Sequence, residues 1–308
     1  MQVLQLTSIG PLADQLLMGL FRATRLWEQD EAEWLTAHGS KVIAVVTSVR
    51  RGCDASLMSA LPNLGAICSW GVGFETIDSD EAGRRNIQIS NTPDVLDDCV
   101  ADMAWALMLA AARRVCTGDR YVRDGRWTTL GEFPVSTRVS GKRLGILGLG
   151  RIGRAIARRG EGFSMDIRYH GRTAQEVPYL FEPSLADLAR WCDFLVVACI
   201  GGLTTFHLVS AEVLSALGPN GILVNIARGS VVDQQALIQA LDENQLGGAG
   251  LDVLESEPGA PLSLRACDRV VLMPHVGSAT TETRRAMEQL VIDNLRAFLE
   301  TGCVLTQV

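Results

Sequence analysis

Residues Gly141–Gly162 read GKRLGILGLGRIGRAIARRGEG, and no other stretch restricts the fold as much. Arg143–Leu147 is a short apolar run of the kind that makes a buried parallel strand. It runs straight into Gly148-Leu149-Gly150-Arg151-Ile152-Gly153, and Arg151–Arg159 carries a helical pattern. A G-x-G-x-x-G turn between a strand and a helix is the fingerprint of dinucleotide binding. Gly148 permits the tight turn, Gly150 lets the backbone approach a pyrophosphate, and Gly153 lets the helix pack on the strand. The N–H groups at the helix start, those of Arg151 and Ile152 among them, and the positive end of its dipole hold the phosphates. Outside that context the same glycines would read only as a turn that needs positive φ.

The chain is long enough for two domains at 308 residues. Its net charge of −7 argues against nucleic acid or an anionic membrane as the main partner. The most apolar window, Val100–Ala112, is too short to span a bilayer, and Asp97, Asp98, Asp102, Arg113 and Arg114 crowd it. The N-terminal residues lack a basic segment followed by an apolar core, so the expectation is a cytoplasmic protein. Eight cysteines form no C-x-x-C pair and four histidines show no ligand spacing. Reduced thiols are therefore expected, and no metal.

Two α/β units are legible. In residues 1–92, Val3–Leu6, Val42–Val46 and Ala66–Ser69 read as strands, with helices over Leu12–Leu26, Glu31–Ala37 and Ala55–Ala60. After the last of these strands comes Ser69-Trp70-Gly71-Val72-Gly73-Phe74, either a loop whose amides converge on a carboxylate or an ordinary turn. Asn91–Asp94 breaks the pattern and marks a domain crossing. A helix over Val95–Cys116 follows. It is apolar nearly all round, which suits a subunit or domain interface better than one core face. Gly118–Ser140 is a long stretch without a period, the form of a functional loop or an arm gripping another subunit.

From Gly141, six strand-like runs alternate with helices: Arg143–Leu147, Met165–Tyr169, Phe194–Cys199, Ile222–Ile226, Ala249–Leu251 and Val270–Met273. Ser184, Ser210 and Asp233 are natural N-caps. This alternation predicts a doubly wound parallel sheet. Thr280–Glu300 reads as a long amphipathic helix capped by Gly302.

Ligands of such sheets bind at the carboxyl ends of the strands. Arg228 ends one strand, where a guanidinium can grip a carboxylate in bidentate fashion or simply face solvent. Glu257 follows the next strand, and His275 the last. A histidine paired with a carboxylate is held in one tautomer, has a raised pKa and can donate a proton to a carbonyl oxygen. Three such residues at strand ends of one nucleotide-binding unit favour chemistry over coincidence.

The segments SWGVGFETID, NTPDVL, VADMAWALMLA, GKRLGILGLGRIG, NIARGSVVD, GLDVLESEP and PHVGSAT occur in this order over nearly the whole chain. Together they resemble the D-isomer-specific 2-hydroxyacid dehydrogenase family, and above all its glyoxylate and hydroxypyruvate reductase branch. The resemblance implies a catalytic triad of Arg228, Glu257 and His275 and a carboxylate-binding loop at Val72 and Gly73. It puts Asp252 on the nicotinamide amide and Thr205 and Ala227 in the cofactor site. It further implies that the Rossmann domain, residues 93–275, is inserted into a smaller flavodoxin-like substrate-binding domain of residues 1–92 and 276–308. The helix 95–116 would then form a homodimer interface. A phosphite dehydrogenase would be expected to carry a lysine in the loop that reads SWGVGF here, and a formate dehydrogenase a glutamine opposite the histidine. A dinucleotide-sensing scaffold, as in the corepressors that resemble this family, retains the triad and stays open.

An NAD enzyme usually places Asp or Glu after the second strand to hold the ribose 2′-hydroxyl. This chain has His170-Gly171-Arg172-Thr173 there. Arg172 and Thr173 offer a cation and a hydroxyl to a 2′-phosphate, so NADPH is expected ahead of NADH. The expected reaction is reduction of a small 2-keto acid, glyoxylate or hydroxypyruvate, to the D-2-hydroxy acid. Trp70 either limits the substrate's side chain or packs.

Overall fold

The computed structural model describes residues 2–308. The chain forms two compact units, one of residues 1–96 with 278–308 and one of residues 97–277. These divisions fall at 96/97 and 277/278, a few residues beyond the expected 92/93 and 275/276.

The discontinuous unit holds β1 (Gln2–Gln5), α1 (Pro11–Phe21), β2 (Thr24–Arg25), α2 (Glu31–His38), β3 (Val42–Ser48), α3 (Ala55–Ala60), β4 (Ala66–Trp70), α4 (Ser79–Arg84) and β5 (Gln88–Ser90). Its strands pair in the order β2-β1-β3-β4-β5, all parallel, which is the flavodoxin-like winding. The expected helix Leu12–Leu26 is too long. It ends at Phe21 because Arg22 turns left-handed (φ 50°) and Ala23 N–H returns to Leu17 O. Thr24 and Arg25 then pair with Leu4 and Gln5. Asp30, Asp54 and Asp78 each accept the amide three residues on, which sets the starts of α2, α3 and α4.

The continuous unit holds α5 (Asp97–Arg113), α6 (Val115–Arg123), β6 (Arg143–Leu147), α7 (Arg151–Gly162), β7 (Asp166–His170), β8 (Leu180–Phe181), α8 (Leu185–Trp191), β9 (Phe194–Val197), α9 (Ala211–Leu217), β10 (Ile222–Asn225), α10 (Gln234–Asp242), β11 (Gly248–Leu251), α11 (Leu262–Ala266) and β12 (Val270–Leu272). The final helix, α12 (Thr281–Thr301), belongs to the first unit, where Val291, Ile292 and Leu295 pack with Val3, Ala44 and Val46. Asn294 is polar on that buried face for a reason: its Oδ1 accepts the amides of Leu305 and Thr306, both at 2.9 Å, and so ties down the C-terminal residues.

The second sheet has seven parallel strands rather than six, in the order β12-β11-β10-β9-β6-β7-β8. The order reverses between β6 and β9, the switch point where a doubly wound sheet opens a crevice for a ligand. The short edge strand β8 was not foreseen. Ser184 and Asp233 cap α8 and α10 through their side chains, whereas Ser210 stands at the N-cap of α9 without a side-chain bond.

The helix expected over 95–116 is broken. Arg114 is left-handed (φ 54°), and Thr137 N–H takes the Ala112 carbonyl at 2.9 Å, which ends α5 at Arg113. The residues expected to be irregular from Gly118 begin as helix α6, which runs to Arg123. Nor is α5 apolar only for an outside partner. It packs on α7, β10, β11 and β12 of its own unit. Trp105 donates to Ile156 O at 3.1 Å and stacks on Phe163, with ring centroids 4.4 Å apart.

Candidate active site

The three glycines of the turn after β6 are present for different reasons. Gly148 has φ 96°, and a side chain there would meet the Cys199 backbone at 2.6 Å. A Cβ on Gly153 would lie 2.1 Å from Gly148 O, so this position lets α7 pack on the turn. Gly150 needs neither. Its φ is an ordinary −77°, and nothing lies within 4 Å of where its Cβ would be. Gly150 is the N-cap of α7 and makes no side-chain cap. The space its missing side chain leaves lies at the positive end of a 12-residue helix, the environment an anionic pyrophosphate requires. Arg151, the first helical residue, sits 3.6 Å from Asp97.

β7 ends at His170, whose carbonyl accepts the Gly148 amide at 2.9 Å. Arg172 and Thr173 follow in the next turn, both exposed. Beyond β9, the Thr205 hydroxyl donates to Ile200 O at 2.9 Å and Gly202 O at 3.2 Å, which folds that loop back on itself.

β10 reads ILVN, and its polar end organises the next turn. Asn225, 1% exposed, accepts the Ala227 amide at 3.0 Å and donates to Arg228 O at 2.9 Å. Ala227 is buried, and its carbonyl accepts from Arg228 Nη1 at 2.7 Å. Gly201 allows the arginine to lie there, since a Cβ at that position would sit 2.6 Å from Arg228 Cγ.

After β11 and β12 the chain brings Glu257 and His275 together, with Oε2 and Nδ1 2.7 Å apart. A carboxylate only accepts, so Nδ1 carries the proton and Nε2 is left for chemistry. Glu257 Oε1 also accepts the Leu254 amide at 3.1 Å. His275 is left-handed (φ 55°), a conformation uncommon outside glycine. Asp252, 3% exposed, holds it there. Its carbonyl accepts His275 N–H, and its two carboxylate oxygens accept the amides of Val276 and Gly277, all at 2.8 Å.

Three further features were not read from the sequence. Asn225 was legible only as a polar residue closing an apolar strand. The threefold grip of Asp252 on residues 275–277 has no local signature. A second histidine–carboxylate pair, His207 Nε2 with Glu255 Oε1 at 2.5 Å, tethers the loop that carries Glu257, and Asp233 lies 3.9 Å from the other ring nitrogen. In the first unit, Asn91 donates to Val72 O at 2.8 Å, and Gly71 (φ 128°) is tied to Thr92 by two hydrogen bonds. Among the described residues nothing accepts the amides of Val72 and Gly73. A separate hollow of about 250 Å³, lined by Arg114, Asn220, Asn244 and Arg269, lies at the opposite, N-terminal edge of the second sheet. Among the described residues no helix is long and apolar enough to cross a membrane, and no group of three His, Cys, Asp or Glu could hold a metal ion.

Residues 105–277 match the profile of the D-isomer specific 2-hydroxyacid dehydrogenase, NAD binding domain. The chain belongs to the D-isomer-specific 2-hydroxyacid dehydrogenase family. This dehydrogenase is 46% identical over 308 residues to glyoxylate/hydroxypyruvate reductase A HPR2 of Arabidopsis thaliana, covering 99% of the chain and 98% of that protein. It is 44% identical to hydroxyphenylpyruvate reductase of Plectranthus scutellarioides, again covering 99% and 98%. Among solved structures it resembles the NADPH-dependent glyoxylate/hydroxypyruvate reductase of Sinorhizobium meliloti in complex with NADP and malonate. The TM-score is 0.93 at 42% identity, covering 100% of this chain and 96% of that one. The dehydrogenase is thus an NAD(P)-dependent enzyme with a Rossmann domain set into a second α/β domain.

Proposed function

We propose that this dehydrogenase reduces a small 2-keto acid, glyoxylate or hydroxypyruvate, to the D-2-hydroxy acid with NADPH. The observation that carries the reading is the 2.7 Å pair of Glu257 and His275, with Arg228 after a strand of the same sheet. The open space over Gly150 fits a dinucleotide, which the turn Gly148–Gly153, Thr205 and Ala227 would hold, with Asp252 as the partner of its nicotinamide amide. When bound, the cofactor supplies the hydride.

The chain's own residues do the rest. His275 gives the proton on Nε2 to the keto oxygen. Glu257 fixes the tautomer and faces the imidazolium with its charge. The Arg228 guanidinium binds the substrate's carboxylate and stabilises negative charge developing on the keto oxygen. Val72 and Gly73 bind the substrate's carboxylate through their backbone amides. Arg172 and Thr173, exposed at the end of β7, bind a 2′-phosphate, and NADH is the weaker alternative. The enzyme acts in the cytoplasm as a homodimer. Its contact is the outward stripe Cys99, Met103, Ala106 and Ala110 of α5, continued by Val115 and Val122, which are 55% and 53% exposed. Sedimentation of the purified enzyme tests the dimer.

NADPH oxidation followed by absorbance tests the activity, with glyoxylate, hydroxypyruvate, hydroxyphenylpyruvate and larger 2-keto acids. Turnover with the two small acids is expected, and replacement of His275 by Asn abolishes it while NADPH still binds. No turnover with any 2-keto acid would favour the sensing scaffold. Faster turnover of an aromatic keto acid would move the substrate class.

A further inference from the structure

We propose that Asn91 is a positioning residue for the substrate's carboxylate, and that Thr306 in the C-terminal tail holds Asn91 in place. This rests on the reading of Val72 and Gly73 as carboxylate binders and names what aims their amides.

The direction of two peptide groups is the first step. The Gly71 carbonyl accepts the Thr92 amide at 2.9 Å, and the Val72 carbonyl accepts Asn91 Nδ2 at 2.8 Å. Both carbonyls therefore face residues 91 and 92. Both peptides are trans, and in a planar trans peptide the N–H points opposite to the C=O. The N–H groups of Val72 and Gly73 are thus turned away from residues 91 and 92, side by side. Successive amides aimed the same way make a concavity for an anion. Gly71, at φ 128°, supplies the backbone conformation that lets the strand turn into it. Its own amide donates to the Thr92 hydroxyl at 3.1 Å, so the start of the loop is fixed as well. Only one of these bonds to the loop comes from a side-chain amide, that of Asn91.

The second step is what fixes Asn91. The Thr306 hydroxyl donates to Asn91 O at 2.6 Å, and Asn91 N–H donates to Thr306 O at 3.3 Å. Thr306 is set in turn by Asn294 of α12. Its amide donates to Asn294 Oδ1 at 2.9 Å, and its hydroxyl accepts from Asn294 Nδ2 at 3.0 Å. Asn91 and Asn294 are 6% and 0% exposed. Burying such groups costs free energy unless they are paired, and apolar residues of the same shape could join these segments at little or no loss. A chain of polar side chains running from α12 through the tail to Asn91 has a different use. It ends on the Val72 carbonyl and sets the direction of the Gly73 N–H.

Steady-state kinetics with hydroxypyruvate at saturating NADPH test this, with thermal melting as the check on folding. The variants are Asn91→Ala, Thr306→Val, Thr306→Ser, the double variant of Asn91→Ala with Thr306→Val, and Val72→Pro, which deletes the Val72 N–H. Asn91→Ala should raise KM about tenfold with kcat within about twofold, the pattern of lost uniform binding. Thr306→Val should raise KM about three- to fivefold, and Thr306→Ser, which keeps the hydroxyl, should restore the wild-type value. The double variant should be no worse than Asn91→Ala alone, because Thr306 acts through Asn91.

A folded Asn91→Ala with KM within about twofold of the wild type overturns the proposal. If Asn91→Ala does not fold, Thr306→Val against Thr306→Ser decides. Equal KM values for those two, or a Thr306→Val that melts lower at unchanged KM, make the tail a structural strap and overturn it too. So do KM increases that multiply in the double variant. If Val72→Pro also leaves KM unaltered, the carboxylate-loop reading itself fails. If Val72→Pro raises KM while Asn91→Ala and Thr306→Val do not, the loop stands and only the positioning role is lost.

Discussion

Glu257 divides its carboxylate between two tasks: Oε2 meets His275 Nδ1 at 2.7 Å, and Oε1 accepts the Leu254 amide at 3.1 Å. The second bond keeps the carboxylate from rotating away, so the imidazole has one partner in one orientation. Glu257→Gln preserves the shape but removes the charge and presents an amide of ambiguous orientation. Its kcat should fall about 10–100-fold, less than the roughly 10²–10⁴-fold expected for His275→Asn, which removes the acid itself. NADPH affinity should change less than about twofold for either variant, a small fraction of a tenfold step. Wild-type kcat in Glu257→Gln would remove the glutamate from the mechanism.

The turn offers a sharper contrast. Gly150→Ala places a methyl where no protein atom lies within 4 Å, whereas Gly153→Ala drives one to 2.1 Å from Gly148 O. The first variant should melt within a degree or so of the wild type yet bind NADPH at least about tenfold more weakly, because the methyl occupies ligand space. The second should lose about 2–4 kcal/mol of stability from overpacking against backbone. Equal melting losses in the two variants, read by calorimetry, would contradict this division.

Gly201 gives access to Arg228 without touching it. A Cβ there would fall 2.6 Å from Arg228 Cγ, and the side chain, being flexible, would move rather than the backbone. Gly201→Ala should therefore keep its fold and its NADPH affinity but lower kcat/KM for the keto acid by about tenfold, a misplacement effect. Arg228→Lys should lose about 10²-fold or more, since an ammonium cannot reproduce the bidentate fork. Steady-state kinetics on both variants decide it; an unaltered kcat/KM in Gly201→Ala means that the arginine's placement is not limiting.

What could be read in advance divides along physical lines. Gly148–Gly153 and the apolar strand runs were legible because their requirements are local: a period, a turn, a helix start. So were the caps of Ser184 and Asp233, whose bonds span three residues. Arg228, Glu257 and His275 were legible as strand-end residues, because strand ends in a doubly wound sheet converge. The break at Arg114 was not, since its cause is Thr137, which arrives from a later segment to take the Ala112 carbonyl. The edge strands Thr24–Arg25 and Leu180–Phe181 are two residues each, too short to show a period. Asp252 was noted for its motif alone. Its grip on 275–277 spans a separation that no local pattern encodes.

Asp193 makes the stability of the second unit depend on acid. Its Oδ2 accepts both the Arg143 amide at 2.9 Å and Arg143 Nε at 3.1 Å, and Lys142 Nζ lies 3.8 Å from Oδ1, so the starts of β6 and β9 are tied together. Burial works to raise its pKa, but the hydrogen bonds and charge of Arg143, helped by Lys142, outweigh burial and hold it below the ordinary carboxylate range. A depressed native pKa means that the contribution is complete above the unfolded value, near 3.9, and disappears as pH falls through the native one. Asp193→Asn should therefore cost about 1–2 kcal/mol at pH 7, the worth of charge-assisted bonds at a side chain 21% exposed. The deficit should begin to narrow only below about pH 4, because there the wild type is losing the same interaction. Urea denaturation of both proteins between pH 7 and pH 3 measures it. A variant as stable as the wild type at pH 7, or a deficit that widens in acid, would show that this carboxylate does not anchor the sheet.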